Sequence, residues 1–193
     1  VVRGDQKFAT FEELTRARQR KPLPPLPFAQ KLQAPRPLLA HGYLLEEQDA
    51  RACEGLADLL GLRLKLALKS ERMLADGVEV RCVRMHGNQF LFAFAAPNAL
   101  DGKALPAVVQ SVFAKAKKLK RSPREEKLLA RREAHRGWRT AGSPAAMAER
   151  LVHEAVRGAA DDSEAEPPTL EEAAARTFLD SRRLLLEFSP SGG

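Results

Sequence analysis

The 193-residue sequence lacks isoleucine altogether and has only two cysteines, one tryptophan and one tyrosine. Two cysteines are too few for a disulfide scaffold or a cysteine-based zinc site, which favours a reducing compartment. No apolar run approaches the roughly 18 residues of a membrane-spanning helix, and no secretory signal is recognisable. The chain starts at Val1 rather than Met, which is consistent with removal of a presequence. We therefore expect an intracellular protein, with the mitochondrion as its location.

Patterns typical of catalytic and metal sites are also missing. The four histidines, at positions 41, 86, 135 and 153, do not have the spacing of metal ligands. The sequence contains no phosphate-binding glycine loop, dinucleotide fingerprint or nucleophile elbow. Cys53 and Cys82 fall on apolar stripes of predicted elements, where cysteines are usually core residues. We predict that the protein is not an enzyme and uses no cofactor or metal.

Residues 115–139 form the most basic part of the chain. Eleven Lys and Arg against three Glu give this segment a net charge of +8, compared with +7 for the whole sequence. A helix this basic needs a polyanion or an acidic surface as its counterpart, and nucleic-acid phosphates are the first expectation. The predicted RNA-binding side chains are Lys115, Lys117, Lys118, Lys120, Arg121, Arg124, Lys127, Arg131, Arg132, Arg136 and Arg139.

Residues 1–37 are predicted to form a basic, proline-rich arm. It contains a short helix at 11–20 and is extended beyond that helix. Alternating prolines fix φ and remove backbone donors, so the arm is expected to be polyproline-like and to lie along another protein. Lys21, Pro24 and Pro27 also have the spacing of a proline-rich SH3 ligand. Both interpretations make this segment a protein-partner arm.

Residues 38–120 have the pattern of a small α+β module. The hydrophobic periodicity predicts a short strand at 37–45, a helix at 46–60, strands at 62–68, 78–82 and 89–96, and a helix at 105–116. A turn at 85–88 joins the last two strands. The expected fold is α+β, a three-stranded antiparallel sheet with helices on one face in the order α-β-β-β-α. Phe90, Phe92 and Phe94 alternate along one strand and are expected to face the second helix.

The remaining residues are predicted to form basic and then mixed helices at 121–158, an acidic linker at 159–168, and a C-terminal helix and tail at 169–193. Ser122 and Glu125 have capping-box spacing, with Pro123 at the first helical position. Thr169 and Glu172 have the same spacing and begin a last helix that is expected to end near Phe188.

The element order over 46–120 resembles that of the double-stranded-RNA-binding domain family. The second helix, however, begins Asp101-Gly102-Lys103 and lacks that family's lysines at this point. The whole architecture resembles accessory proteins of the mitochondrial ribosome. This resemblance implies a non-catalytic subunit that binds rRNA through its basic helix and neighbouring protein subunits through its arms. The alternatives are an accessory subunit of a protein-only, respiratory-type complex and an SH3-binding adaptor.

Overall fold

The computed structural model describes residues 23–85, 87–98, 102–143 and 168–190. Its strands are β1, Phe28–Ala34; β2, Leu38–Leu44; β3, Ala75–Met85; β4, Asn88–Pro97; and β5, Arg183–Pro190. Its α-helices are α1, Cys53–Lys65; α2, Leu105–Ala116; α3, Pro123–Gly142; and α4, Leu170–Thr177. None of these helices is long and apolar enough to cross a membrane. The predicted helix at 11–20, residues 144–158 of the predicted helical region and residues 159–167 of the predicted acidic linker lie outside the described residues.

The five strands form one mixed sheet in the order β1-β5-β2-β4-β3. β3 and β4 form the predicted hairpin, whose last pair is Met85 with Asn88. β2 lies antiparallel to both β4 and β5, and β1 pairs with β5 in parallel. The predicted three-stranded antiparallel sheet is therefore wrong, because β1 and β5 come from segments predicted to be an arm and a helix.

β1 lies inside the proline-rich segment. Its pairing runs from Phe28 with Leu184 to Ala34 with Pro190. Pro27 and Pro35 lie just outside the two ends of the strand, and β1 is at the edge of the sheet. Prolines are tolerated at such positions because no neighbouring strand needs their missing amide donors.

The last predicted helix is also only partly correct. The Thr169 hydroxyl accepts from the Glu172 amide, and the Glu172 carboxylate accepts from the Thr169 amide, so the predicted capping box is confirmed. The helix ends at Thr177, and Arg183–Pro190 is a strand instead. β5 lies between β1 and β2. A strand inside the sheet can be apolar on both faces, so the run of leucines at 184–186 has no period-two signal.

Residues 62–68 are helical rather than extended. Leu56, Leu60, Leu64 and Leu68 are all completely buried, at the four-residue spacing of one helix face. Leu66 lies off this face and is 54% exposed. The predicted strand is wrong because alternating leucines also satisfy a helical stripe, and leucine is a strong helix former.

The helices cover one face of the sheet. Leu91, Ala93 and Ala95 of β4 pack in the main core with Val109 and Phe113 of α2.

The phenylalanines of β4 point the other way. Phe90 and Phe92 form a second cluster with Ala40 and Leu184 on the opposite face. The prediction that they face α2 is wrong, although the period of two is correct. The ring of Phe92 lies over Gly42, where an added Cβ would come within 2.4 Å of the ring.

Cys53 of α1 and Cys82 of β3 form a disulfide that spans 29 residues of sequence. The predicted core position of both cysteines is confirmed, and the disulfide was not predicted, because only the tertiary fold brings the two apolar stripes together. A disulfide also removes the reason for expecting a reducing compartment, and the mitochondrial location stays a prediction.

We expect the Cys53→Ala/Cys82→Ala double variant to lose about 3 kcal/mol of unfolding free energy. The physical reason is the larger entropy of an unfolded chain without a cross-link over this span. Urea denaturation of the oxidised protein, the reduced protein and the variant measures the effect. The reduced protein should behave like the variant, and equal stability of all three would contradict the prediction.

Candidate functional site

The basic segment 115–139 begins in the last turn of α2, passes through a short connector and fills most of α3. The predicted Ser122–Glu125 capping box begins α3. The exposed cations of the segment are Lys115, Lys117, Lys118, Lys120, Arg121, Arg124, Lys127, Arg131 and Arg132. Arg136 and Arg139 belong to α3, but their side chains lie outside the described part of the structure.

Two of the predicted RNA-binding arginines form ion pairs within the protein. Nε of Arg121 lies 2.6 Å from Oε1 of Glu171 in α4. Nη1 of Arg132 lies 2.8 Å from Oδ1 of Asp58 in α1. These two side chains connect α3 and its connector to neighbouring helices, so they are positioned by the fold.

The first turn of α3 is held on α1 by a third ion pair. Nε of Arg63 lies 2.7 Å from Oε1 of Glu125. The hydrogen bond from Arg63 is the largest cause that lowers the pKa of Glu125 to about 2, and hydrogen bonds from Ser122 act in the same direction. Glu125 therefore caps its own helix and docks it at the same time.

Three cations of α3 are left in a row, which we call the basic stripe: Arg124, Lys127 and Arg131. All three are exposed, and none forms an ion pair with any described carboxylate. Trp138, the only tryptophan of the sequence, is 81% exposed at the far end of the same helix. Lys115, Lys117, Lys118 and Lys120 of the predicted RNA-binding set are exposed as well and form no ion pair with a described carboxylate, but they lie in the last turn of α2 and in the connector. The basic stripe is thus the part of the unpaired set that α3 holds in a regular row.

An open groove of about 430 Å³ separates α3 from α1. Leu128 is its one apolar lining residue, and its other lining residues are acidic, basic or histidine. Its lining residues are Glu54, Asp58, Leu128, Arg131, Arg132 and His135. The groove offers ion pairs to a polypeptide and borders the basic stripe through Arg131.

α4 is anchored by a carboxylate in the protein interior. The Asp49 side chain is completely buried, and Oδ1 of Asp49 lies 2.6 Å from Nη2 of Arg176. The same contact raises the pKa of Arg176. Arg182, just beyond α4, also donates to Glu46. Two carboxylates that precede α1 therefore hold the C-terminal segment in place.

Next to this anchor lies a buried cluster of rings. The His41 ring stacks at 4.9 Å from Phe113 and at 5.4 Å from Tyr43, and Phe178 closes the cluster. Within the described residues, Nδ1 of His41 has no hydrogen-bond partner. Desolvation is the largest cause that lowers the pKa of His41 to about 4, and the charge of Arg183 adds to it.

We expect the protein to lose stability as the pH falls from 6.5 to 4. The unfolded chain binds a proton at His41 in this interval, while the folded protein does not, so stability is lost as pH decreases. The full loss is about 3 kcal/mol, from a pKa difference of about 2.5 units. Urea denaturation at half-unit pH steps measures it.

His41→Phe should remove most of this slope, and Tyr43→Phe should keep it. Glu125, whose pKa is about 2, affects stability mainly below pH 4.5, so it does not mask the slope. A His41→Phe variant with the same dependence between pH 4 and 6.5 would contradict the assignment.

The opposite face of the sheet is covered by no described helix, and we call it the aromatic face. Its row of rings has spacings of 5.8 Å between Phe90 and Phe92 and 5.7 Å between Phe92 and Phe94. The Arg81 guanidinium lies 4.9 Å above the Phe94 ring. Phe94, Leu186 and Phe188 on this face are only half-buried.

The proline-rich segment reaches this face. Leu23 and Leu26 pack against the aromatic cluster, while Pro24 and Pro27 are exposed. Lys21 lies outside the described residues. The segment that was predicted to lie on another protein thus lies, in its described part, on its own sheet.

Sequence reasoning missed the aromatic face, although a signal was present. The run at 89–96 is apolar at nearly every position, with small residues between the phenylalanines. Such a run indicates a strand covered on both faces rather than on one.

No group of three or more metal-binding side chains occurs among the described residues. The whole sequence also lacks the H-x-x-E-H pattern of inverted zinc peptidases. In the groove, Asp58 forms an ion pair with Arg132.

The fold is similar to solved structures of peptidases. A protease from Helicobacter pylori matches with a TM-score of 0.71 and 18% identity, over 86% of this chain and 45% of that chain. An inactive domain of peptidase M16 from Pseudomonas fluorescens matches with a TM-score of 0.63 and 16% identity, over 86% and 43%. This chain has the fold of peptidase M16 domains.

The inactive peptidase domain of a zinc protease from Bordetella parapertussis matches over 85% of this chain and 96% of its own length, with a TM-score of 0.62 and 17% identity. Two of these three similar structures are thus inactive domains. The chain spans less than half the length of the first two. No protein-family model matches the sequence, and no curated protein sequence does either.

The M16 fold overturns both resemblances drawn from the sequence. The similarity to double-stranded-RNA-binding domains required a strand at 62–68, which is helical. The similarity to mitochondrial ribosomal proteins rested on an arm and a C-terminal helix that instead supply β1 and β5. A structural role in a ribosome and rRNA as a partner are wrong for the same reason.

Proposed function

We propose that this chain is a non-catalytic domain of the M16 type, which works beside a catalytic peptidase domain of another subunit or of a longer protein. The observation that carries the proposal is the correspondence with an inactive peptidase domain over 96% of that domain. The missing H-x-x-E-H pattern supports it, because a zinc peptidase needs both its ligands and its general base.

The proposal includes a surface for the catalytic counterpart, the aromatic face. Most apolar side chains of the core under the helices are buried, although some, such as Val80 and Leu185, are only partly buried. The cluster on the aromatic face has a larger share of half-buried side chains, among them Phe94, Leu186 and Phe188. Incompletely covered apolar patches on a soluble protein favour contact with another polypeptide. The counterpart is therefore expected to cover this face rather than the helical one.

The first experiment measures zinc and activity of the purified chain. After incubation with zinc and removal of free metal, we expect well below one zinc ion per chain and no cleavage of a fluorogenic peptide library. A zinc-loaded peptidase assayed in parallel controls both measurements. Stoichiometric zinc, together with cleavage that a chelator abolishes, would overturn the proposal.

The second experiment adds a catalytic M16 subunit from the same genome, one that carries H-x-x-E-H. We expect a 1:1 complex in size-exclusion chromatography and at least a tenfold rise in peptide hydrolysis. The Phe94→Lys/Phe188→Lys variant should lose both effects.

The matched control is Leu66→Lys/Met73→Lys, which changes two apolar residues that are 54% and 74% exposed and do not belong to the aromatic cluster. This control should behave like the wild type. If the two variants behave alike, the counterpart does not bind at the aromatic face.

A further inference from the structure

The three cations of the basic stripe share one side of α3. At about 100° per residue, Arg124, Lys127 and Arg131 fall within a sector of roughly 60°. Their spacings along the helix axis are roughly 4.5 Å and 6 Å. Trp138, at i+14 from Arg124, falls in the same sector. Three charges and one exposed ring therefore form a straight row on the surface of the helical layer.

The acidic residues of α3 lie away from this row. Glu125 faces α1, where it binds Arg63. By the same rotation, Glu126 and Glu133 fall on the opposite flank of the helix. Like charges at i,i+3 and i,i+4 destabilise a helix slightly, and no described carboxylate offsets this repulsion. The row thus slightly lowers the stability of α3, and its three cations stabilise no described part of the fold through an ion pair.

We propose that the basic stripe is the docking site for an acidic helix of a partner protein. A helix with Glu at positions i, i+3 and i+7 presents carboxylates at the same two axial spacings as the stripe. Trp138 offers this helix an apolar contact at one end. Charge complementarity of this kind sets partner choice and orientation between helices.

The rim of the adjoining groove favours a polypeptide over a nucleic acid. Glu54 and Asp58 lie there beside Arg131. A partner helix can place Lys or Arg next to its acidic row and pair with Glu54, whereas a phosphodiester backbone has only negative charge to offer. Arg121 and Arg132, two of the remaining cations, are already bound to Glu171 and Asp58. The inference does not depend on the proposed M16 role, because the stripe lies on the helical layer and not on the aromatic face.

The test uses three probes and the full chain. The first probe is a 21-residue alanine-rich helical peptide with Glu at i, i+3 and i+7 and Lys beside this row. The second is a peptide of the same composition with its Glu residues spread around the helix, and the third is a short RNA duplex. Because Trp138 is the only tryptophan, its fluorescence reports binding directly, and calorimetry gives the Kd.

We expect the first peptide to bind at least tenfold more tightly than the second peptide and the duplex. Arg124→Glu/Lys127→Glu/Arg131→Glu should weaken this binding at least 30-fold. The matched control is Lys65→Glu/Lys69→Glu/Lys103→Glu, which reverses three exposed lysines elsewhere and should change the Kd less than threefold.

Circular dichroism checks that both variants are folded. The proposal is overturned if the two peptides bind equally, if the duplex binds more tightly than the first peptide, or if the two triple variants behave alike.

Discussion

Phe113→Ala is expected to lower the unfolding free energy by about 4 kcal/mol, the range for a large aromatic side chain removed from a core. Phe113 is completely buried. Its ring lies 4.9 Å from His41, 5.1 Å from Tyr43 and 5.4 Å from Phe178. It therefore joins α2, β2 and the end of α4 in one cluster. Domains have only about 5–15 kcal/mol of stability in total, so the variant should be close to unfolding at 37 °C.

Phe94→Ala is the matched comparison, because it removes the same ring from the aromatic face. Phe94 is half-buried and has Arg81 over its ring. We expect a loss of less than half that of Phe113→Ala, since less apolar area leaves water on folding. Urea denaturation of both variants decides the order. Equal losses would mean that the helical face is not the main core.

Arg176→Met should destabilise the protein by about 3 kcal/mol, although Arg176 is itself partly exposed. Methionine keeps much of the aliphatic volume but leaves the carboxylate of Asp49 buried without its counter-charge. Removing one partner of a buried ion pair is costly for this reason. The measurement is again the unfolding free energy at pH 7.

The double variant Asp49→Asn/Arg176→Met isolates the electrostatic part of this effect. It removes the buried charge and should recover at least half of the loss, as expected for two residues in direct contact. If the double variant is as unstable as Arg176→Met, the arginine acts through packing and not through the charge of Asp49.

Local signals in the sequence predicted those elements whose cause is itself local. Ser122 and Glu125, and Thr169 and Glu172, form the expected capping boxes because each needs only residues three positions apart. The turn at 85–88 and the helix at 105–116 were predicted for the same reason, since a hairpin and an amphipathic stripe are complete within about a dozen residues.

The failures concern long-range pairing. β1 and β5 are separated by about 150 residues of sequence, yet they pair in parallel at the edge of the sheet. Neither has a hairpin turn or an alternating pattern, because a parallel pair is joined by a long connection and an interior strand is apolar on both faces. These two strands complete the five-stranded sheet of this chain, so its fold could not be recognised from the pattern of 38–120 alone.

Composition also could not decide which cations are available to a partner. The sequence by itself determined that 115–139 is strongly basic and that much of it is helical. Only the tertiary structure decided that Arg121 and Arg132 bind Glu171 and Asp58, while Arg124, Lys127 and Arg131 remain in an exposed row. The physical reason is that charge is a property of each residue, whereas pairing depends on which surfaces the fold brings within about 4 Å of each other.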